Sequence, residues 1–486
     1  MTRSFVRTNG PRGKVARSLL SLAFSVALVL VPAGATADTS GGQASAYLAY
    51  RQSANSCSVW SPLFMNDAGG WTSTMVIRNE GSTASTVEFR LRSVTGTAPI
   101  NRSISIAQFA QREIKPADLS LPSGFQGSLA ASANTCGELS AVTYHDASGR
   151  NRITLDSPVD AETFTTIPLA FNDYNGWTSL VAVQNTDRNS DANVTVTYRS
   201  SEFSESGIEV PLTVRRDSSA LLDLSAAPKG ALTIQFENKS GSQGLVASAY
   251  HMGPNGLADG NNAFAAKEGA TKVFVPLAFR KYNGYDTGIR VVNVNSVGAA
   301  NPRITFYDRD TNERVVTITS PNTLREGQEQ TFYLPIIEGL QDDRVYNAIV
   351  ETDAGGSPVL AALANHVNYS RNTAMMYSGT ARGDVALTAT LVYRAVSGLN
   401  SGIQIQNTTG SSTSATVRFK NAAGSNVATE TVSVPANSSA TIYLPSVANL
   451  PDNYTGFAEI TAPSNVAATV NSVRYTSAPV NPGTGI

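Results

Sequence analysis

The chain has 486 residues, 41% hydrophobic and only 15% charged, with two cysteines, three histidines and a formal net charge of −1 at pH 7. Five basic residues and no Asp or Glu fall in the first 37, so the remainder carries a net of −6. An acidic chain without a basic stripe excludes nucleic acid and anionic membrane surfaces as natural partners.

The first predicted element is a leader. Arg3, Arg7, Arg12, Lys14 and Arg17 precede an apolar run over 19–31, and Ala35-Thr36-Ala37 follows it. That order is a secretory signal peptide, 1–37, with removal expected after Ala37. A run of 13 residues is too short for a bilayer span, which takes roughly 20. The mature chain is therefore expected to be secreted or held at the cell surface, with no membrane span.

From residue 38 onward the sequence repeats at domain length. Pro62-Leu63-Phe64-Met65-Asn66-Asp67-Ala68-Gly69-Gly70-Trp71 is answered by Pro168-Leu169-Ala170-Phe171-Asn172-Asp173-Tyr174-Asn175-Gly176-Trp177. A third copy runs from Pro276-Leu277 to Asn283-Gly284-Tyr285, and a worn fourth from Leu391 to Ser397-Gly398-Leu399. The leucines step by 106, 108 and 114 residues, far beyond the roughly 20–50 of solenoid and propeller units. Four domains are predicted, over 38–157, 158–266, 267–380 and 381–486, the last divergent and terminal. The second reads most cleanly, with apolar-alternating stretches over 164–171, 179–184, 194–198, 208–214, 220–224, 232–236 and 245–250. Turn compositions separate them. Seven short strands without helical periodicity give an all-β fold of four tandem antiparallel β-sandwich domains of immunoglobulin-like size.

Parity along the second strand of each copy assigns its faces. Met75 and Ile77, Val181 and Val183, Ile289 and Val291, and Ile403 and Ile405 are predicted core, and the interleaved Arg78, Gln184, Arg290 and Gln404 are predicted to face water. Aromatic-small elements precede some units, at Tyr47-Leu48-Ala49, Phe264-Ala265-Ala266 and Tyr377-Ser378-Gly379, with no clear counterpart near Ser157. No long Gly/Ser or Pro linker intervenes, so a semi-rigid rod is expected.

Units built on Pro-Leu, then Gly-Trp, then an apolar strand ending in Asn79, Asn185, Asn293 or Asn407 resemble the tandem immunoglobulin-like repeats of secreted and cell-surface bacterial proteins. The resemblance implies an exported fold with a surface or matrix role, and it transfers no catalytic residue.

Candidate sites are few. Cys57 and Cys136 lie within the first copy, and their counterparts Thr163 and Ser242 cannot cross-link; in an oxidising compartment they are expected to form a disulfide that staples that unit. Trp71, Trp177 and Tyr285 are candidate sugar-stacking contacts, but they share parity with the core, and Leu399 stands in the fourth copy. His145, His251 and His366 all close the last strand of a unit, with Val473 or Arg474 in the fourth, a pattern for a junction contact or a metal ligand. Asn66-Asp67, Asn172-Asp173, 257–262 and 308–312 are compatible with Ca2+, yet Glu313 stands where an EF-hand loop needs Gly. No cofactor is expected, and turn chemistry accounts for these residues. Arg382-Gly383-Asp384 matches an integrin-type tripeptide. HExxH, GxSxG and phosphate-binding glycine loops are absent from the sequence.

The leading expectation is a non-enzymatic extracellular repeat protein with a structural, adhesive or spacer role, whose partners are surface or matrix components, or a second copy. A carbohydrate-binding protein using the Gly-Trp elements is the alternative. An accessory part of a secreted hydrolase system stands third.

Overall fold

A computed structural model describes residues 43–51, 57–158, 161–200, 207–239, 241–295, 298–352 and 359–474; the predicted leader lies outside them. The fold is all-β, its strands paired antiparallel in several sheets, and the described residues contain short 3-10 turns but no α-helix. The described residues form one compact unit.

Each repeat arranges its strands in two layers, which are separate sheets in the first two repeats and run on into one eight-stranded sheet in the third and in the fourth. In the first, Ile100–Ile106, Ser85–Ser93, Phe125–Ala133 and Ser58–Asn66 form one, and Gln111–Ile114, Trp71–Asn79, Leu139–Ala147 and Ile153–Asp156 form the other. The second repeat places its seven alternating stretches in the same order. Between the sheets lie Met75, Ile77, Val87 and Phe89 in the first copy and Val181, Val183, Val196 and Tyr198 in the second. The third and fourth pack Ile289, Val291, Ile304 and Phe306, then Ile403, Ile405, Val417 and Phe419. All are buried because alternation turns one face of every strand inward.

Each repeat is finished by a short closing strand. Ile153–Asp156, Ala258–Asn262 and Thr373–Ser378 pair with the histidine-bearing strands of the first three repeats. The chain then crosses to the other sheet of the same repeat: Trp60 N donates to Pro158 O, Phe264–Ala265 pairs with Thr165 and Thr166, and Thr380 bridges Phe274. The fourth repeat receives this piece from the other end of the molecule. Gln43–Leu48 pairs with Tyr454–Arg474, and Tyr50–Arg51 then pairs with Asp384–Arg394. First and last repeats are thereby joined, and the expected rod is instead a closed circuit. The segment over 257–262, expected to be a turn, contains the closing strand of the second repeat, and Ile153–Asp156 is the counterpart near Ser157 that the sequence does not reveal.

Closure also reverses the expectation of a wet second face. Arg78, Gln184, Arg290 and Gln404 are 1%, 1%, 6% and 1% exposed. The second sheet of each repeat packs its outer face on the first sheet of the repeat before it. Arg78 donates to Thr388 Oγ1 at 2.8 Å and to Glu459 Oε1 at 2.6 Å, with its guanidinium 4.1 Å from the Phe457 ring centroid. At the other junctions Ser219 Oγ donates to Pro62 O, Arg290 reaches Thr233 and Gln406 Nε2 donates to Ala348 O.

Candidate functional site

The repeated motifs converge on one structural device. Every lead strand slips register at the Pro-Leu step, or at Thr390-Leu391 in the fourth copy: between Ser61 and Phe64, Ile167 and Ala170, Val275 and Ala278, and Ala389 and Val392. Proline has no N–H to give the ladder and is accommodated by a bulge, but the fourth copy bulges with Thr390 in its place, so the break in register does not depend on proline. The leucine's own amide then needs partners. Tyr377 OH donates to Leu277 O at 2.6 Å and accepts from Leu277 N at 2.8 Å. Tyr47, on the strand from the N-terminal end, does the same for Leu391 at 2.6 and 2.7 Å.

Two residues after the bulge, a hydroxyl accepts a backbone N–H: Ser73 from Met65, Ser179 from Phe171, Thr287 from Phe279 and Ser401 from Tyr393. The hydroxyl proton is then left for the recurrent histidine. Oγ–Nδ1 distances are 2.8 Å for Ser73–His145, 2.7 Å for Ser179–His251 and 2.7 Å for Thr287–His366. A ring accepting at Nδ1 is neutral and protonated at Nε2; burial pushes His145 and His366 down to about 3 and His251 down to about 4. In the second repeat Nε2 meets Asn261 Oδ1 at 2.8 Å. Register assigns the fourth position to Ser472, which bonds Ser401 Oγ at 2.7 Å, in place of the expected Val473 or Arg474.

Ser179, His251 and Asn261 have the composition of a nucleophile–base–orienter set, but the serine oxygen already caps a backbone amide and His251 is fully buried. The same place is filled by threonine in one copy and by a serine pair in another, so the arrangement ties strands together. The histidines sit in separate repeats, and among the described residues no three His, Cys, Asp or Glu side chains group as metal ligands do.

The other candidates are also framework. Trp71, Trp177 and Tyr285 are 9%, 5% and 2% exposed, and Leu399 takes the same place at 3%, so none presents a ring face for stacking. They follow tight turns in which Gly70, Gly176, Gly284 and Gly398 all hold φ near +80°, the conformation glycine adopts without strain. Asn66 and Asn172 Nδ2 donate to loop carbonyls of Leu121 and Leu224, and the Arg280 and Arg394 guanidinia do that work with Ile337 and Val447. This explains an Asn-to-Arg exchange that looks radical in sequence. Asn79, Asn185, Asn293 and Asn407 are fully buried and donate to loop carbonyls in each repeat. Asp308 Oδ1 accepts from Asp310 N and Thr311 N, a turn bond. The Asp384 carboxylate accepts from Val385 N, while Arg382 is exposed. Cys57 and Cys136 form the disulfide, and no helix of the described residues is long and apolar enough to cross a membrane. Both features are compatible with an extracellular protein.

What the sequence does not show is a cavity of about 700 Å3 where the four crossovers meet. Leu48 and Ala49, Asp156 to Pro158, Asn262 to Ala265 and Ser378 to Arg382 all contribute to its wall. Burial pushes the Asp156 carboxyl up to about 6 despite a hydrogen bond from Asn262.

No protein-family model matches the chain, and no curated protein matches it. Among solved structures, a Salmonella alpha-2-macroglobulin mutant aligns over 85% of this chain and 38% of that one, at 10% identity and a TM-score of 0.10. A likeness of that size carries no argument about fold or function.

Proposed function

We propose that the protein is exported, loses its leader after Ala37, and serves outside the cell as a non-enzymatic body of four immunoglobulin-like β-sandwich repeats with a structural or adhesive role. The observation that supports this reading is the fate of the recurrent polar residues. Ser73, His145, Asn79 and Asn66, with their counterparts, are hydrogen-bonded within the framework, although Nε2 of His145 and of His366 is left without a partner among the described residues. What repeats is therefore architecture, and a closed circuit of packed sheets gives a stiff body whose outer loops and edges are free to differ. The circuit favours a structural or adhesive role over that of an extended spacer.

Fractionation of cells making the full chain, with N-terminal sequencing of the product, tests the reading. An extracellular or surface-bound chain beginning at Asp38, with no turnover in a broad glycosidase and peptidase screen, is expected. Retention in the cytoplasm, or steady hydrolysis of any substrate class that survives repurification, would overturn it.

A further inference from the structure

The cavity at the crossovers is a feature that the framework does not consume. At about 700 Å3 it falls within the roughly 300–1,000 Å3 of small-molecule sites. It is built where all four closing strands leave one sheet for the other, so each repeat contributes a wall and the site exists only when the circuit is closed.

The lining specifies a ligand chemistry. Asp156, Thr271 and Ser378 are partly exposed there, and Arg382 is exposed. Together they offer a carboxylate acceptor, two hydroxyls that both donate and accept, and a forked donor. Leu48 and Pro158, also partly exposed, and the ring of Phe264 supply apolar surface between them. The charges nearly cancel. Lys267 pairs with Glu162 at 2.9 Å and Lys272 with Glu351 at 3.2 Å, and Glu268 accepts from Ala265 N, so Arg382 and Asp156 remain as one charge of each sign on the wall beside the Glu268 carboxylate. A phosphate or a polyanion would find no surplus of cations, and a bare cation would find two carboxylates, Asp156 and Glu268, but no group of three ligating side chains among the described residues. An apolar ligand would strand several polar groups without hydrogen-bond partners, which is unfavourable. A neutral molecule with vicinal hydroxyls on one edge and C–H groups on its faces satisfies both kinds of wall.

We propose that this cavity binds a neutral, hydroxyl-rich small molecule of the size of a mono- or disaccharide, one per chain. The site does not use Trp71, Trp177 or Tyr285, and it does not depend on whether the protein is structural or adhesive outside the cell.

Isothermal titration calorimetry of the full chain against glucose, galactose, mannose, N-acetylglucosamine, maltose, cellobiose and chitobiose tests it. Arg382→Ala removes the forked donor from an exposed position, and Ser378→Leu fills the cavity from its wall; circular dichroism and the thermal midpoint report whether each variant folds. Saturable binding of at least one of these sugars at one per chain, weakened at least tenfold by Arg382→Ala in a folded protein, is expected. Ser378→Leu, if folded, should weaken it similarly. Binding that both folded variants retain would place the sugar elsewhere and overturn the proposal. So would heats indistinguishable from dilution for the whole panel, or tighter binding of inorganic phosphate than of any sugar.

Discussion

The first three repeats and the fourth reach the same end state by different routes. In the first three, the strand that completes the histidine-bearing sheet follows directly in the chain; in the fourth it comes from Gln43–Leu48, more than 400 residues away. Tyr377 and Tyr47 nevertheless hold the leucine of their bulges in the same way. The incoming strand also serves two cores, placing Tyr47 and Ala49 in that of the fourth repeat and Ala44 and Ala46 in that of the third. The repeating unit of the sequence and that of the folded protein are thus offset by one strand.

The comparison breaks most completely if the distant strand is removed. Deleting residues 43–51 strips the fourth repeat of its closing strand and opens the circuit, and calorimetry is expected to show the fourth repeat unfolding in a separate, earlier transition or already unfolded. Retention of one transition at the parental midpoint would show that closure does not matter. Arg78 seals the same seam from the first repeat, against Glu80, Glu459 and Thr388. Arg78→Ala leaves those carboxylates short of a partner and is expected to cost about 3–5 kcal/mol in denaturant unfolding. Arg78→Gln, the residue at positions 184 and 404, should cost less.

Register also aligns Asp259 with Ile153, Met375 and Ser45 of the other closing strands. Asp259 is 2% exposed, accepts from Asn365 Nδ2 at 2.8 Å, and burial pushes its carboxyl up to about 7. The folded state therefore holds a proton that the unfolded chain releases near pH 4, and this residue's contribution to stability falls as pH rises from about 4 to 7. Asp259→Asn is expected to stabilise the protein by about 4 kcal/mol at pH 8 and to be near neutral at pH 4; an equal effect at both pH values would rule out ionisation as the cause.

Tyr47→Phe and Tyr377→Phe sharpen the comparison directly. Each leaves a bulge N–H and C=O unpaired and should cost about 2 kcal/mol. Equal losses would mean that the distant strand is held as well as the adjacent one, and a much smaller loss for Tyr47→Phe would mark it as a loose latch. The histidines give an effect of the opposite sign to Asp259. Their lowered values mean that the unfolded chain binds protons first as pH falls through about 6.5, so stability drops on acidification. His366→Ser, the serine found at position 472, should lower the slope of stability against pH by about one proton between pH 4.5 and 6.

Much of the framework was legible because it rests on local periodicity. The alternation of Val181 and Val183, or of Val196 and Tyr198, identifies an inward face whatever lies outside it. Ala258–Asn262 was illegible for the converse reason: Ala-Asp-Gly-Asn-Asn has neither alternation nor strand propensity, and neighbours on both sides make it a buried strand. Arg78 and Arg290 were assigned to water because a charged residue has two environments open to it, and only a packed neighbour selects the buried one. The cavity had no sequence signal, since its lining comes from four places roughly a hundred residues apart.

By itself the sequence determined the all-β class, the period and the residues facing each core, because these follow from side-chain alternation along single strands. Tertiary structure decided that the repeats close on one another, which polar residues are buried between them, and where a cavity remains. Each of those depends on contacts between segments distant in the chain, and local pattern carries no record of distant partners.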